Sequence, residues 1–516
     1  MRISLTRAAD EAGLSVDLPS LAATHQLAAT LTLWLAPGDL VALSGDLGSG
    51  KTAFARALIR ALADDPHIEV PSPTFSLMVG YDLPRGRVVH ADFYRVADPE
   101  ELVEIGWEDQ SHDAIAIVEW PERAGGALRA ERLDIAMELA PDLGPDGRRA
   151  RLTGGGAFAA RLDRLHVSEV LVEASGFGAA ERHHMQGDAS TRSYARLVLP
   201  DRSAILMNAP RRPDGPPVRR GLPYSRLAHL AEDVRAFVAV ARGLRAEGFS
   251  APEIYAADLD RGLLLIEDLG DAGVIQGSPP EPIKARYEAA IDVLAALHGR
   301  RLPNVLPIAP QSEHVLPPYG TEALLIEVEL MLDWYLPFRH IAIDQVVREE
   351  FVLLWRNALA PTLDEPQTWV LRDYHSPNLL WLAEREGLAR VGLIDFQDAV
   401  MGPAAYDVVS LAQDARLDIP ESLELHLLGH YVRQRRGADP GFDARSFAHL
   451  YALLGAQRAT KILGIFARLN LRDGKPNYLR HLPRIRRYLT RCLGHQELGS
   501  LRTWYEAVLP AKDFQT

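Results

Sequence analysis

A glycine-rich segment ending in a lysine and a threonine carries the clearest chemical signal in this sequence. It reads Gly45-Asp46-Leu47-Gly48-Ser49-Gly50-Lys51-Thr52 and matches the phosphate-loop pattern G-x-x-x-x-G-K-[ST] at every fixed position. Glycines let successive backbone N–H groups converge on phosphate oxygens. Lys51 is suited to reach the β- and γ-phosphates of a nucleotide, and Thr52 is suited to ligate Mg²⁺. The segment therefore predicts an ATP site.

The flanking sequence has the order that a phosphate loop requires. Residues 40–43 form an apolar run typical of a buried strand, and residues 53–63 have the composition of a helix. The N-terminus of that helix would add its partial positive charge at the phosphates. Strands and helices alternate through this part of the chain, which favours a parallel α/β sheet.

Three further segments place polar side chains near the predicted loop. Thr74 lies in a proline-stiffened segment, 70–75, and Asp92 follows a short strand, 87–90. Glu119 ends an apolar strand, and a carboxylate at that end of a strand beside a phosphate loop is what Mg²⁺ or an attacking water needs. Taken singly, Asp92 could be a strand-end cap and Glu119 a surface acid.

Together these segments resemble TsaE, a family of small bacterial ATPases needed for the threonylcarbamoyladenosine modification of tRNA. The segments G-D-L-G-S-G-K-T, S-P-T-F, H-x-D-x-Y-R and V-E-W-P-E occur in that order within residues 18–155. The resemblance implies that Thr52 and Glu119 hold Mg²⁺ and that Thr74 lies in a switch-like loop. It places Asp92 near the γ-phosphate, as a catalytic residue, and Trp120 near the nucleotide.

The same resemblance implies partners. The family works with TsaD- and TsaB-type proteins that carry out the transfer to tRNA, so this part of the chain would supply ATP hydrolysis. The alternative is a nucleotide-gated binding module that turns over slowly. ATPase activity measured with and without partner proteins separates the two hypotheses.

A second phosphate-handling pattern lies in the other half of the sequence. Asp373 and Asn378 are separated by four residues, as in the catalytic loop of protein-kinase-like folds. There the Asp orients or deprotonates an acceptor hydroxyl, and the Asn binds Mg²⁺. An apolar strand, 391–394, then delivers Asp395 as a second metal ligand. Two unrelated polar loops would be the alternative, because D-x-x-x-x-N alone is common by chance.

This half, residues 180–510, resembles the aminoglycoside-phosphotransferase superfamily, and within it the AmgK-type kinases that phosphorylate the anomeric hydroxyl of N-acetylmuramate and N-acetylglucosamine in cell-wall recycling. The segments that carry the likeness are G-D-A-S-T-R-S-Y (187–194), M-N-A-P (207–210), G-P-A-A-Y-D (402–407) and Q-R-A-T-K-I-L-G-I-F (457–466). The resemblance implies ATP and Mg²⁺ as cofactors and an amino sugar as acceptor.

By the same resemblance, Asp373 is the catalytic base, and Asn378 and Asp395 bind Mg²⁺. Glu267 lies on a strand leading to a hinge that would hold adenine, and residues 186–194 would form the hairpin over the nucleotide. Asn208 stands where kinases usually have a phosphate-contacting lysine and this branch an acidic residue.

The roles of several other residues stay open. Asp407 would be structural. Arg458 and Lys461 either face the sugar or form surface salt bridges. The missing lysine and the single glycine of the hairpin leave an inactive kinase-fold scaffold as an alternative to an active kinase. Choline, homoserine and aminoglycosides remain alternative acceptors, since a fold does not decide among them.

Composition limits the class of protein. The chain has 516 residues, a net charge of −13 and one cysteine, Cys492. The acidic balance argues against strong direct binding of nucleic acid. A single cysteine rules out an internal disulfide framework and suits the cytoplasm. No apolar run is long enough to span a membrane, and no signal peptide is apparent.

The sequence thus predicts two parts. An α/β P-loop domain occupies residues 1–160, a linker 161–178, and an α+β two-lobed kinase-like domain 179–516. Glycines at 154–156 and the turn-rich segment 210–217 mark the main breaks in regular structure.

Overall fold

The computed structural model describes residues 5–7, 13–185, 192–211, 213–309 and 312–510. The chain divides into two compact units: Met1–Pro210 with Ile254–Asp268, and Arg211–Glu253 with Leu269–Thr516. An α/β P-loop part and a kinase-like part are both present, which confirms the predicted fold class.

The strands within the described residues are, in chain order, β1 (Leu5–Arg7), β2 (Gly13–Leu18), β3 (Leu40–Ser44), β4 (Met78–Leu83), β5 (Gly86–Asp92), β6 (Ile115–Glu119), β7 (Leu133–Leu139), β8 (Arg148–Gly154), β9 (Glu181–Met185), β10 (Ser193–Val198), β11 (Ser203–Asn208), β12 (Pro217–Arg219), β13 (Leu222–Pro223), β14 (Ile254–Asp258), β15 (Leu263–Glu267), β16 (Ile275–Gln276), β17 (Glu281–Pro282), β18 (Val305–Ala309), β19 (Ser312–Val315), β20 (Gln367–Val370), β21 (Leu379–Trp381), β22 (Val391–Leu393) and β23 (Val400–Pro403).

The helices of the same residues are α1 (Leu21–Thr32), α2 (Lys51–Ala63), α3 (Glu101–Glu104), α4 (Trp107–Ser111), α5 (Ala157–Ala174), α6 (Tyr224–Leu227), α7 (Val234–Ala246), α8 (Lys284–His298), α9 (Thr321–Val328), α10 (Leu336–Phe338), α11 (Gln345–Leu359), α12 (Ala405–Ala412), α13 (Glu421–Ala438), α14 (Ala444–Leu471), α15 (Leu482–Leu493) and α16 (Gly499–Val508). No helix among these residues is both long and apolar enough to cross a membrane.

The first unit is built on an eight-stranded sheet of order β1-β2-β8-β7-β3-β6-β5-β4. Strand β3 is parallel to both of its neighbours, β6 and β7, and β5 is parallel to β6. The carboxyl ends of β3, β5 and β6 therefore meet at one edge of the sheet, where ligands bind in open α/β folds.

The same unit contains a second sheet, of order β14-β15-β11-β10-β9. Helix α5 packs against both sheets, and one apolar core joins them. Its members from α5 and from the two sheets include Val16, Leu152, Phe158, Leu162, Leu165, Leu206 and Leu265. On the surface of α5, Asp163 accepts from Arg7 (2.6 Å) and from Arg261 (3.0 Å). The two sheets of this unit therefore share their apolar interior.

Most of the segment predicted as a linker is helical, since α5 extends to Ala174. Its N-cap, Gly156, provides no side-chain hydrogen bond and is the last of three consecutive glycines before the helix. The helix is stabilised by packing rather than by terminal signals. The boundaries at 160 and 179 stay a prediction about separately folding fragments.

The second unit is mainly helical. Helix α14, 28 residues long, packs against α9, α12 and α15. Short antiparallel pairs, β20 with β23 and β21 with β22, hold the segments in which Asp373, Asn378 and Asp395 lie.

Candidate phosphate-transfer sites

The phosphate loop of the first unit runs from the end of β3 at Ser44 to the start of α2 at Lys51. Gly45 has φ +132°, and a Cβ at this position would stand 2.1 Å from the carbonyl oxygen of Met137. Gly50 has φ +106° at the N-cap of α2. Both positions need glycine, one for space and conformation and the other for conformation. The backbone can therefore fold tightly around an anion at the helix N-terminus.

Lys51 lies folded over this loop. Its Nζ donates to the carbonyl oxygens of Gly45 (2.6 Å) and Asp46 (2.8 Å), and it lies 3.8 Å from the centroid of the Trp120 ring. Burial lowers the pKa of Lys51, against the opposing effect of Glu119 and other nearby acids. Trp120, predicted to lie near the nucleotide, is therefore in contact with the loop cation.

The side chains of Thr52 and Glu119 are in direct contact. The Thr52 hydroxyl donates to Glu119 Oε2 at 2.7 Å, and Glu119 is buried. His90 Nε2 lies 3.0 Å from the other carboxylate oxygen, Oε1, and is fully buried. His90 occurs in the quoted motif but received no role from the sequence. Its place on β5, the parallel neighbour of β6, fixes the orientation of the Glu119 carboxylate.

Thr74 and Asp92 form a second contact at the same sheet edge. Thr74 Oγ1 donates to Asp92 Oδ2 at 2.9 Å, and the backbone N–H of Tyr94 donates to Asp92 Oδ1 at 3.0 Å. Strand register places Asp92 opposite Glu119. A hydroxyl and carboxylates beside a phosphate loop are the donor set that Mg²⁺ takes together with nucleotide phosphates, so these residues fit the predicted group.

The second site lies in the second unit, where β20 ends and the chain turns through Arg372 with φ +66°. Asn378 Nδ2 donates to the backbone carbonyl of Asp373 (2.9 Å) and to Asp395 Oδ2 (3.4 Å). Asp373, Asn378 and Asp395 line a cavity of about 10 Å³. Two carboxylates and an amide around a space of that size fit a single Mg²⁺, with phosphate oxygens completing its shell.

Two buried carboxylates, Asp407 on α12 and Asp414 just after that helix, hold the predicted catalytic loop. Asp407 on α12 accepts from the backbone N–H groups of Leu371 (2.7 Å) and Arg372 (2.9 Å). Burial raises the pKa of Asp407 to about 7. Asp414 accepts from the N–H (3.0 Å) and the hydroxyl (2.5 Å) of Ser376. These bonds hold the backbone on both sides of Asp373.

Glu327, on α9, is fully buried, and its carboxylate contacts four polar side chains. Its Oε1 accepts a hydrogen bond from Arg372 and forms an ion pair with Lys461 Nζ at 2.9 Å. Its Oε2 accepts from the hydroxyl of Tyr319 (2.6 Å) and from the Gln457 side chain (3.0 Å). Lys461 thus belongs to a buried network rather than to a surface salt bridge. No pattern in the sequence marks Glu327, which lies in a mainly apolar helix.

Charge around Asp373 keeps it ionised. Burial raises the pKa of this carboxyl, but His375, Lys461 and Arg458 outweigh burial, and the pKa lies below its usual value. Within the described residues the Asp373 carboxylate accepts no hydrogen bond, and the side chain is half-buried. It is available to an incoming hydroxyl.

Two other predicted residues belong to the first unit. Asn208 and Glu267 are on β11 and β15 of the first unit. The side chain of Asn208 accepts from Arg164 on α5 and donates to the hydroxyl of Ser193 at 3.1 Å. In the hairpin predicted to cover the nucleotide, residues 186–191 are outside the described part of the chain.

Comparison with known proteins finds a family model for each part of the chain. The family model "Threonylcarbamoyl adenosine biosynthesis protein TsaE" matches residues 18–146, and "Phosphotransferase enzyme family" matches residues 184–447. An N-acetylmuramate/N-acetylglucosamine kinase of Caulobacter vibrioides is 39% identical over 363 residues, which is 68% of this chain and 98% of the relative. A second kinase of that name, from Pseudomonas aeruginosa, is 34% identical over 64% of this chain and 91% of the relative.

The N-terminal part has relatives of its own. The tRNA threonylcarbamoyladenosine biosynthesis protein TsaE of Rickettsia bellii is 33% identical over 119 residues, which is 23% of this chain and 82% of the relative. Fold, sites and relatives define a protein with a P-loop ATPase part and a kinase-type phosphotransferase part. The chain belongs to the phosphotransferase enzyme family, and its N-terminal part belongs to the TsaE family.

Proposed function

We propose that the C-terminal part transfers the γ-phosphoryl group of ATP to the anomeric hydroxyl of N-acetylmuramate or N-acetylglucosamine. One observation carries the proposal: the Asp373 carboxylate is ionised and unbonded within the described residues, beside the Asn378–Asp395 cavity. The named activity of the Caulobacter and Pseudomonas relatives supports the choice of acceptor.

In this reaction Asp373 orients the acceptor. An anomeric hydroxyl is more acidic than an ordinary alcohol, so Asp373 holds it in line with the γ-phosphorus and takes its proton late. The bond from the sugar oxygen to phosphorus forms while the bond from phosphorus to the β,γ-bridging oxygen breaks. Asn378 and Asp395 would hold Mg²⁺, which balances charge on the transferring group. The products are a sugar 1-phosphate and ADP.

A phosphotransfer assay with the full chain tests the proposal. N-acetylmuramate, N-acetylglucosamine, choline, homoserine and an aminoglycoside are each offered with ATP and Mg²⁺. Phosphorus NMR then identifies the product, because a 1-phosphate couples to the anomeric proton and a 6-phosphate does not. A 1-phosphate is expected. A 6-phosphate, or turnover only with another acceptor, would contradict the anomeric-kinase assignment, and no turnover with any acceptor would favour an inactive scaffold.

We infer that the N-terminal part hydrolyses ATP in support of threonylcarbamoyladenosine modification of tRNA, with TsaD- and TsaB-type proteins as partners and the cytoplasm as its compartment. The paired Thr52 and Glu119 support a Mg²⁺ site here, and the Asp92–Thr74 contact supports a switch that senses the γ-phosphate. ATP hydrolysis is measured for the full chain alone and with each partner. Hydrolysis that no partner changes, and an inability to replace TsaE in modification, would contradict the inference.

A further inference from the structure

Arg458 differs from the other polar residues on its face of α14. It is only 6% exposed, and within the described part of the chain its side chain has no hydrogen bond or ion pair. Its neighbours Gln457 and Lys461 both bind the carboxylate of Glu327. Each oxygen of that carboxylate already has two partners, through three hydrogen bonds and one ion pair in all, so Glu327 has no capacity left for Arg458.

The unpaired guanidinium lies at the catalytic loop. Gln457 and Lys461 lie on either side of Arg458 along α14, and both bind Glu327. Glu327 also binds Arg372, the residue before Asp373. The charge of Arg458 adds to those that lower the pKa of Asp373. His375, also buried, has a ring nitrogen, Nδ1, without a hydrogen-bond partner in the described residues. This side of Asp373 therefore presents hydrogen-bonding groups that no described protein atom satisfies.

Partial burial of a guanidinium that has no protein acceptor carries a cost, because part of its hydration is lost. None of the Arg458 nitrogens is fully enclosed, so a ligand can still reach them. The Asp373 and Asp407 carboxylates offset part of that cost through space, but neither makes a bond with Arg458. A carboxylate matches the planar guanidinium of arginine in shape and charge, because it can accept two parallel N–H hydrogen bonds from it. An acidic acceptor would complete the hydrogen bonding of Arg458 as it binds.

We propose that Arg458 binds the carboxylate of the acceptor, namely the lactyl group of N-acetylmuramate, and so sets the preference for that sugar over N-acetylglucosamine. This inference rests on the proposed function. The two sugars share the anomeric hydroxyl and the N-acetyl group and differ in the 3-O-lactyl group. Arg458 acts here as a specificity-determining residue rather than as the base.

The test compares both sugars with the full-length wild type and with Arg458→Gln and Arg458→Lys. Loss of a hydrogen bond to a charged group corresponds to about 10–100-fold in affinity. We expect Arg458→Gln to raise KM for N-acetylmuramate by about that factor while KM for N-acetylglucosamine changes less than about 3-fold. Arg458→Lys keeps the charge but not the fork and should recover part of the loss.

Arg445→Gln is the matched control, because Arg445 lies on the same helix and is exposed. It should leave both KM values unchanged. Thermal melting checks that each variant folds, and if Arg458→Gln does not, the ratio in Arg458→Lys decides. An unchanged ratio of the two KM values, or an equal rise for both sugars, would overturn the inference alone. A wild type that phosphorylates neither sugar would overturn the proposed function and this inference with it.

Discussion

The two phosphate sites of this chain differ in the groups that form them. In the first, the binding surface is backbone: a glycine loop, a helix N-terminus and one lysine that donates to Gly45 and Asp46. In the second, side chains from separate segments converge, and Asp407, Asp414 and Glu327 hold the loop that carries Asp373 and Arg372. The first site depends on local conformation, whereas the second depends on buried charge balance.

This difference predicts how each site fails. Substitution at the first should affect binding of the nucleotide phosphates, because the loop is a cradle. Substitution at the second should separate chemistry from binding, because base, metal ligands and supporting carboxylates are different residues.

The largest effect is expected at the base of the second site. Asp373→Asn keeps the shape of the side chain but removes the proton acceptor. Turnover of the sugar should fall by about 10²–10⁴-fold, the usual contribution of a general base. ATP affinity should stay close to that of the wild type, as measured by calorimetry. Asp395→Asn is the comparison, since it should instead raise the Mg²⁺ concentration needed for half-maximal rate. Wild-type turnover in Asp373→Asn would remove the proposed base.

At the first site, Lys51→Ala removes the loop cation that would neutralise the β- and γ-phosphates. Hydrolysis by this site should fall by about 10²–10³-fold, the range for a lost charge-stabilising donor, and ATP should bind more weakly. Phosphorylation of the sugar should persist, because Asp373 and its support lie in the other unit. Lys284→Ala, at an exposed lysine, is the control. Nucleotide binding and hydrolysis unchanged in Lys51→Ala would contradict the phosphate-loop assignment.

The same contrast explains what the sequence could and could not reveal. The phosphate loop is contiguous, so residue order alone identified it, and parallel strand order brought Glu119 to Thr52. The sequence also predicted Asp373, Asn378 and Asp395 as a group, because a short loop and the β21–β22 pair connect them. The residues that support them could not be identified in the same way. Glu327 is one of two acids in a mainly apolar helix, and only tertiary packing shows that it is buried and binds Arg372 and Lys461.

For a related reason, sequence analysis did not predict that most of the linker segment is a helix. The terminal signals of α5 are weak, and the glycines before it indicate a break. What orders α5 is its burial between two sheets that lie far apart in sequence. Local sequence patterns predict caps and turns. They do not predict a core to which a segment distant in sequence contributes.

Comparison of two N-terminally truncated fragments tests whether α5 is part of the kinase fold. Fragments 156–516 and 175–516 differ by α5, whose Phe158, Leu162, Leu165 and Val172 are buried. Full burial of each such side chain contributes about 1.5–3 kcal/mol. We expect 156–516 to melt several degrees above 175–516 in circular dichroism. Equal melting temperatures would mean that α5 stabilises only the P-loop part, and failure of both fragments would mean that the shared core needs the whole unit.

The smallest expected effect concerns pH and the support of the second site. The pKa of Asp407 is raised to about 7 in the folded protein, from 3.8. The native state therefore binds this proton more tightly than the unfolded state between those values. The free energy of unfolding that depends on Asp407 is then fully present below about pH 4 and declines as the pH rises toward 7.

Asp407→Asn should remove this slope, because an amide does not titrate. It leaves one of the two backbone N–H groups, of Leu371 or Arg372, without a good acceptor, at a cost of about 1–3 kcal/mol. Urea unfolding at pH 4.5, 5.5 and 7.0 measures both effects. The wild type should lose more unfolding free energy across this range than the variant, while Asp439→Asn, at an exposed site of the same unit, should follow the wild type. Parallel pH profiles for wild type and Asp407→Asn would show that Asp407 is ionised throughout, and the predicted pH dependence of the second site would be wrong.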